Sequence, residues 1–176
     1  SRFQKVGYTE PKPFIDVNGK PMFQHVVENI GLDFEEKVFI VQKKHGIKER
    51  VLAIYPDAHV IEVDEVTEGA ACTILLAREH YEDGSAIFIA NCDQHVEWNP
   101  DIDRIHDRAD ASIALFHCPE MDAKWSYAVL DGVQVTQVAE KLPISEWASV
   151  GFYSWKDGRE FIRAAEAMIA ADDRVN

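Results

Sequence analysis

Cysteine is scarce in this chain. Cys72, Cys92 and Cys118 are far apart, odd in number and without C-x-x-C spacing, which excludes a disulfide framework and a paired-cysteine zinc site and fits a reducing cytoplasm. Positive charge is the second deficit. With 18 Lys and Arg against 31 Asp and Glu the net charge is -13, so the basic surface that nucleic-acid binding requires is missing. No apolar run approaches the ~20 residues of a membrane-spanning helix, and the first residues lack the basic and apolar sections of a secretory signal. Internal repeats, low-complexity tracts and linkers are absent too, so the 176 residues read as one domain. Ser126, Ser145 and Ser149 have no G-x-S-x-G context, which leaves no case for a serine nucleophile. His95, His106 and His117 match no zinc spacing, and Asp101, Asp103, Asp107 and Asp110 lack the central Gly and terminal Glu of a calcium loop.

What remains is ordinary for a soluble core-forming domain: 47% hydrophobic and 28% charged residues. Residues 1–20 read as loop, with Pro11-Lys12-Pro13 enforcing extended backbone and an Asn18-Gly19 turn. Pro21 suits a helix start; Phe23, Val26, Val27 and Ile30 follow at i, i+3, i+4 and i+7, and Gly31 closes the helix. Strands are predicted over 37–42, 58–63 and 86–91, with helices marked by Ile47, Val51 and Ile54 and by residues 70–81 between them. That alternation is the signature of crossover units in a parallel sheet. Afterwards the pattern changes to strands at 111–117, a hairpin about Asp131-Gly132 and a strand at 149–155, then an amphipathic helix over 157–171. The pattern therefore gives an α/β fold with a mixed sheet, mostly parallel with antiparallel additions.

Three patches could carry chemistry. Residues 1–50 hold 9 of the 18 Lys and Arg but 7 of the 31 acids, a local +2 against -15 for the remainder. Arg2 and Lys12 therefore sit in a cationic loop ahead of a helix, either as solvated charge or as a phosphate site. The run Ile87-Phe88-Ile89-Ala90 reads as a strand buried on both faces and leads into Asn91-Cys92-Asp93-Gln94. A carboxylate just past a strand's carboxyl end is an ordinary turn former or a holder of metal or polar substrate. Glu140-Lys141 follows a hairpin strand, as an exposed pair or a ligand grip. Trp125, Trp147 and Trp155 fit the core or a sugar platform.

Taken in order, Ser1-Arg2-Phe3, Pro11-Lys12-Pro13-Phe14-Ile15, Gly19-Lys20-Pro21-Met22, Thr67-Glu68-Gly69-Ala70, Asn91-Cys92-Asp93-Gln94, Ala139-Glu140-Lys141 and Val150-Gly151-Phe152-Tyr153 resemble the sugar-phosphate nucleotidyltransferases, with the closest look to the capsule and surface-polysaccharide branch. The resemblance implies a three-layer, Rossmann-like α/β fold and transfer from an NTP to a sugar 1-phosphate with Mg²⁺, giving an NDP-sugar and pyrophosphate. It implies that Arg2 embraces the triphosphate, Lys12 contacts phosphate at the reacting end and Asp93 binds the metal. Glu68 and Gly69 border the nucleoside; Glu140 and Lys141 grip the sugar and its phosphate, and Gly151 lines the sugar pocket. A homo-oligomer is in keeping with the family. No general base is required, because the attacking phosphate oxygen is already anionic. Two departures accompany the match: the family's first strand with its glycine-rich loop is expected before Ser1, and a second metal-binding aspartate after Asn176, so this stretch alone is expected to lack half of the triphosphate cradle. Two other readings stand beside it. One is a non-catalytic nucleotide-binding regulatory or assembly module of the same fold; the other, a metal-dependent glycosyltransferase, would need an Asp-x-Asp where Asp93 is followed by Gln94-His95.

Overall fold

In the computed structural model residue 3 and residues 7–98 and 108–172 are described. Arg2, Asp101, Asp103, His106 and Asp107 lie outside the described residues. Among the described residues a 3-10 turn over Lys12–Phe14 leads into a two-residue hairpin, β1 (Asp16–Val17) with β2 (Lys20–Pro21). Asn18 and Gly19 at the hairpin tip have φ of 51° and 84°, the left-handed pair that an Asn-Gly turn provides. The extended backbone expected around Lys12 is corrected here: Pro11 is extended, but Pro13 enters a 3-10 turn whose Phe14 N–H donates to the Pro11 carbonyl. Proline at the start of such a turn loses no hydrogen bond, since its missing N–H would have been unpaired.

Helix α1 (Met22–Ile30) turns its Phe23, Val26 and Ile30 inward and stops at Gly31 in the left-handed region. Strand β3 (Val38–Gln42), helix α2 (Lys48–Ile54), strand β4 (His59–Val63), helix α3 (Ala70–Leu75) and strand β5 (Ile87–Ala90) follow. The helix predicted over 70–81 is shorter, because the chain tightens after Leu75 into a separate 3-10 turn at Arg78–His80. Next come β6 (Ala111–His117), β7 (Tyr127–Asp131), β8 (Gln134–Ala139) and β9 (Trp147–Trp155), and helix α4 (Gly158–Ala170) ends the order.

Alternation of side chains along the strands puts apolar groups on both faces of the sheet. Val38 and Ile40 of β3, with Ile61 of β4 and Ile87 and Ile89 of β5, pack against Ala77, Tyr81 and the α4 residues Phe161, Ile162 and Ala165. Phe39, Val41 and Val60 point the other way, onto Phe14, Phe23, Ile47 and Val51. Phe88 of β5 joins Val26, Ile30 and Phe152 on that same side, in a run of rings 5.4–5.8 Å apart with Phe34 and Trp98. The result is a three-layer mixed α/β arrangement, with the mixed sheet read from the pattern and the layered fold that the family resemblance implies.

Pairing in the sheet is more antiparallel than the alternation suggests. β3 and β4 form a parallel pair in register Val38↔His59. β9 runs antiparallel to β5 and, along its other edge, to β6, and it meets β7 at Ala148. Among the described residues β3 pairs with β4 and β5 with β9, each with its other edge unpaired. A second correction concerns depth: both faces of β5 are packed, as expected, but Ile87, Phe88 and Ile89 are only half-buried and Ala90 is exposed. No helix among the described residues is long and apolar enough to cross a membrane.

Asp157 caps α4 by accepting from the Arg159 backbone N–H at 2.9 Å, and it also binds the Arg159 guanidinium, with Nη2 2.6 Å from Oδ2. The Arg159 side-chain bond, first among the causes, holds this carboxyl below the usual range. A lowered folded-state pKa means that the stabilisation is present above the unfolded value, about 3.9, and is lost as pH falls through the folded value. Asp157→Ala is expected to lower the melting temperature at pH 7, and thermal melts at decreasing pH should show the gap from wild type closing below about pH 4.

Candidate active site

The carboxyl end of β5 and the middle of β9 meet at one point. Asn91 donates its backbone N–H to the Gly151 carbonyl at 3.3 Å, continuing the β5–β9 ladder beyond Ala90↔Phe152. Gly151 has φ +79°, and a Cβ built there would collide with Asn91 Nδ2 and Gln94 Oε1. The glycine therefore lets β9 bend while two amide side chains lie over its backbone. Its N–H is taken by Ser149 Oγ at 3.0 Å. Gly151→Ala should cost about 1–2 kcal/mol through the left-handed backbone alone, since the two amides are side-chain ends that can move aside. Chemical denaturation would check it, and unchanged stability would contradict the requirement for glycine.

Asp93 lies three residues past β5 and forms an ion pair with Lys12. Both side chains keep about a third of their surface exposed, 34% and 29%, so the pair is open to an incoming anion or cation. Lys12 also sits 5.9 Å from the centre of the Phe3 ring. Cys92 is next to this pair, and desolvation first, then the Asp93 carboxylate, pushes its thiol above the usual value. At neutral pH such a thiol stays protonated and is a poor nucleophile.

The nucleoside-side candidates occupy the loop entering α3. Gly69 has extended backbone, φ 172°, with nothing within 4 Å of a built Cβ. Its carbonyl accepts from the Thr73 backbone N–H at 3.0 Å and from the hydroxyls of Thr67 and Thr73, each at 3.1 Å. Glu68 is exposed between Thr67 and Gly69. The same loop lines a depression of ≈ 150 Å³ at the carboxyl ends of β3 and β4, together with Gln42, Val63 and Glu65. A second depression, of ≈ 130 Å³, lies around Glu35, Tyr55 and Asp57 at the other end of those strands and holds none of the predicted site residues.

Glu140 and Lys141 follow β8 at the surface and pair with each other, Nζ to Oε1 at 2.7 Å. Lys141 has φ 51°, an unusual backbone for a residue with a Cβ. No ion pair among the described residues joins them to Lys12 or Asp93. The structure thus brings Lys12, Asp93 and Gly151 to the β5–β9 junction and leaves Glu140 and Lys141 on the neighbouring hairpin. Asn91, Gln94 and Ser149 are additions that the sequence reading did not single out for roles. The signal for Asn91 and Gln94 was the short polar run after β5. Of the tryptophans, Trp155 packs on Phe161 and Trp125 on Phe116, whereas Trp147 is 40% exposed beside His117.

Residues 1–163 match the model of the MobA-like NTP transferase domain. The chain belongs to that family. Membership makes it a nucleotidyltransferase domain. Among solved structures it is similar to a nucleoside-diphosphate-sugar pyrophosphorylase from Vibrio cholerae RC9, with 23% identity and a TM-score of 0.77 over 99% of this chain and 78% of the other. A putative glucose-1-phosphate thymidylyltransferase from Bacillus anthracis, in complex with a sucrose, matches at 17% identity and a TM-score of 0.75, covering 89% of this chain and 67% of that one. The inositol-1-phosphate CTP transferase from T. maritima matches at 15% identity and a TM-score of 0.68, covering 86% and 64%. At these identities the likeness is one of fold. The MobA-like domain thus has the nucleotidyltransferase architecture, with Lys12 of its N-terminal loop in contact with Asp93 just past β5.

Proposed function

We propose that the MobA-like domain catalyses nucleotidyl transfer from an NTP to a sugar 1-phosphate, releasing pyrophosphate and supplying a nucleotide sugar for polysaccharide synthesis in the cytoplasm. The observation that carries this reading is the Lys12–Asp93 pair at the carboxyl end of β5, beside Gly151, in a chain of this family. The fold relatives named for glucose 1-phosphate and inositol 1-phosphate support a phosphate monoester as acceptor.

Transfer of this kind asks for positioning and charge neutralisation more than for covalent chemistry. Acceptor phosphate and triphosphate repel, strongly so where water is excluded. Lys12, held between two prolines, gives up Asp93 for phosphate, and Arg2 adds a second cation on the triphosphate side. Asp93 would hold Mg²⁺ through its carboxylate, since that ion takes oxygen donors and needs only one or two protein carboxylates. Bound there, the ion would neutralise phosphate charge. Glu68 and Gly69 border the nucleoside next to the depression at the ends of β3 and β4. Lys141 leaves Glu140 for the sugar phosphate, Glu140 turns to sugar hydroxyls, and the Gly151 backbone lines the sugar pocket. A homo-oligomer is part of the same proposal.

The test is pyrophosphate release by the complete natural protein across a panel of NTPs and sugar 1-phosphates with Mg²⁺. Release with one preferred pair is the expected result; no release with any pair would overturn the reading.

A further inference from the structure

At the amino ends of β3 and β4, away from the depression beside Thr67, three side chains from three elements converge. Glu36 precedes β3, His59 opens β4 and His80 closes the 3-10 turn after α3. One ligand atom from each lies within 4.8 Å of the others. The parallel register Val38↔His59 brings the first two together, and the His59 backbone N–H donates to the Lys37 carbonyl at 2.8 Å. His80 Nδ1 is 3.0 Å from Glu36 Oε2, and the two imidazole rings lie 4.5 Å apart, tilted by 56°. On the far side of the His80 ring, Nε2 is 3.7 Å from Glu79 Oε1.

We propose that Glu36, His59 and His80 form a binding site for a transition-metal cation, Zn²⁺ foremost, separate from the Mg²⁺ proposed at Asp93. Two imidazole nitrogens and one carboxylate oxygen are borderline donors that select zinc and its neighbours, whereas Mg²⁺ takes oxygen. The metal takes the place of the proton between His80 Nδ1 and Glu36. Glu79 then stands where the remaining ring N–H of His80 needs an acceptor, as in carboxylate–histidine–zinc arrangements. Bond lengths of about 2.0–2.2 Å require the three donors to draw closer than they stand now. Glu36 and His59 are exposed and can rotate to do so, while His80, with 13% of its side chain exposed, is the fixed point. The fourth position is left to water. Such a site ties β3, β4 and the turn leading to β5 together, so metal stabilises the fold by mass action.

The experiment titrates the metal-free chain with Co²⁺, followed by visible absorbance, and with Zn²⁺, followed by calorimetry and thermal melts. One metal per chain, with a higher melting temperature in Zn²⁺, is expected for wild type and for Asp93→Asn. His59→Ala and Glu36→Gln change exposed side chains, so both should fold while binding at least tenfold more weakly and losing the thermal shift; His80→Gln should abolish binding. Undiminished affinity in His59→Ala and Glu36→Gln, binding lost only in Asp93→Asn, or no binding by wild type would each overturn the proposal. None of these readouts uses activity, so failure here is distinguishable from failure of the proposed reaction.

Discussion

Replacing Lys12 by alanine is expected to lower kcat/KM for nucleotidyl transfer by about 100-fold or more, a loss of about 3 kcal/mol in transition-state stabilisation. Its ammonium is in contact with Asp93, and flanking prolines limit the backbone from which it reaches. A cation so placed is of most use where negative charge accumulates between two phosphates, and removing it leaves that repulsion uncompensated. The competing explanation is that Lys12 serves only to neutralise Asp93. Both side chains reach solvent, so such a pair contributes no more than about 1 kcal/mol to stability. Steady-state kinetics and denaturation of the same variant separate the two. Unchanged kcat/KM with lowered stability would leave Lys12 as a structural partner, while a large kinetic loss in a protein of near-native stability is the outcome expected of phosphate contact.

Local chemistry was legible in the sequence and distant pairing was not. The Asn18-Gly19 and Asp131-Gly132 turns, the face of α1 and the Asp157 start of α4 follow from residues within one turn of each other, where backbone preference decides the outcome. The 3-10 turn at Lys12–Phe14 was missed because proline admits both extended backbone and the first position of a turn. Strand β9 was seen as one more antiparallel addition, yet it pairs with β5, β6 and β7. Nothing local in residues 147–155 encodes three neighbours. The contact of Lys12 with Asp93 joins residues far apart in sequence, and their shared site came from family likeness rather than from spacing. Glu36, His59 and His80 escaped for the same reason. They match no zinc spacing, and only the β3–β4 register and the turn after α3 bring them together.

Gly158→Ala tests how the fold carries β5 to its place. Within an isolated helix the change would stabilise by up to about 1 kcal/mol, since alanine has the higher helix propensity. In this structure the opposite sign is expected. A Cβ at Gly158, the first residue of α4, would lie 2.5 Å from the Tyr81 carbonyl oxygen and 2.7 Å from Tyr81 Cδ2. Tyr81 has little room to yield: it is buried, its hydroxyl donates to the Ile74 carbonyl at 2.8 Å and its ring meets Phe161 edge-on at 6.0 Å. The Gly158 N–H is also committed, donating to the Ser85 carbonyl at 3.0 Å just ahead of β5. Overpacking against backbone costs about 1–3 kcal/mol and sometimes more, enough to outweigh the propensity gain. A loss of about 2–3 kcal/mol corresponds to a fall in melting temperature of roughly 5–10 °C for a domain of this size. Ser85 leads directly into β5, whose end at Ala90 is followed closely by Asp93, so relief of the clash by moving α4 would also shift the site's supporting strand. A melting temperature equal to or above wild type would show that α4 can move away from Tyr81 without loss, and that this contact does not fix the start of β5.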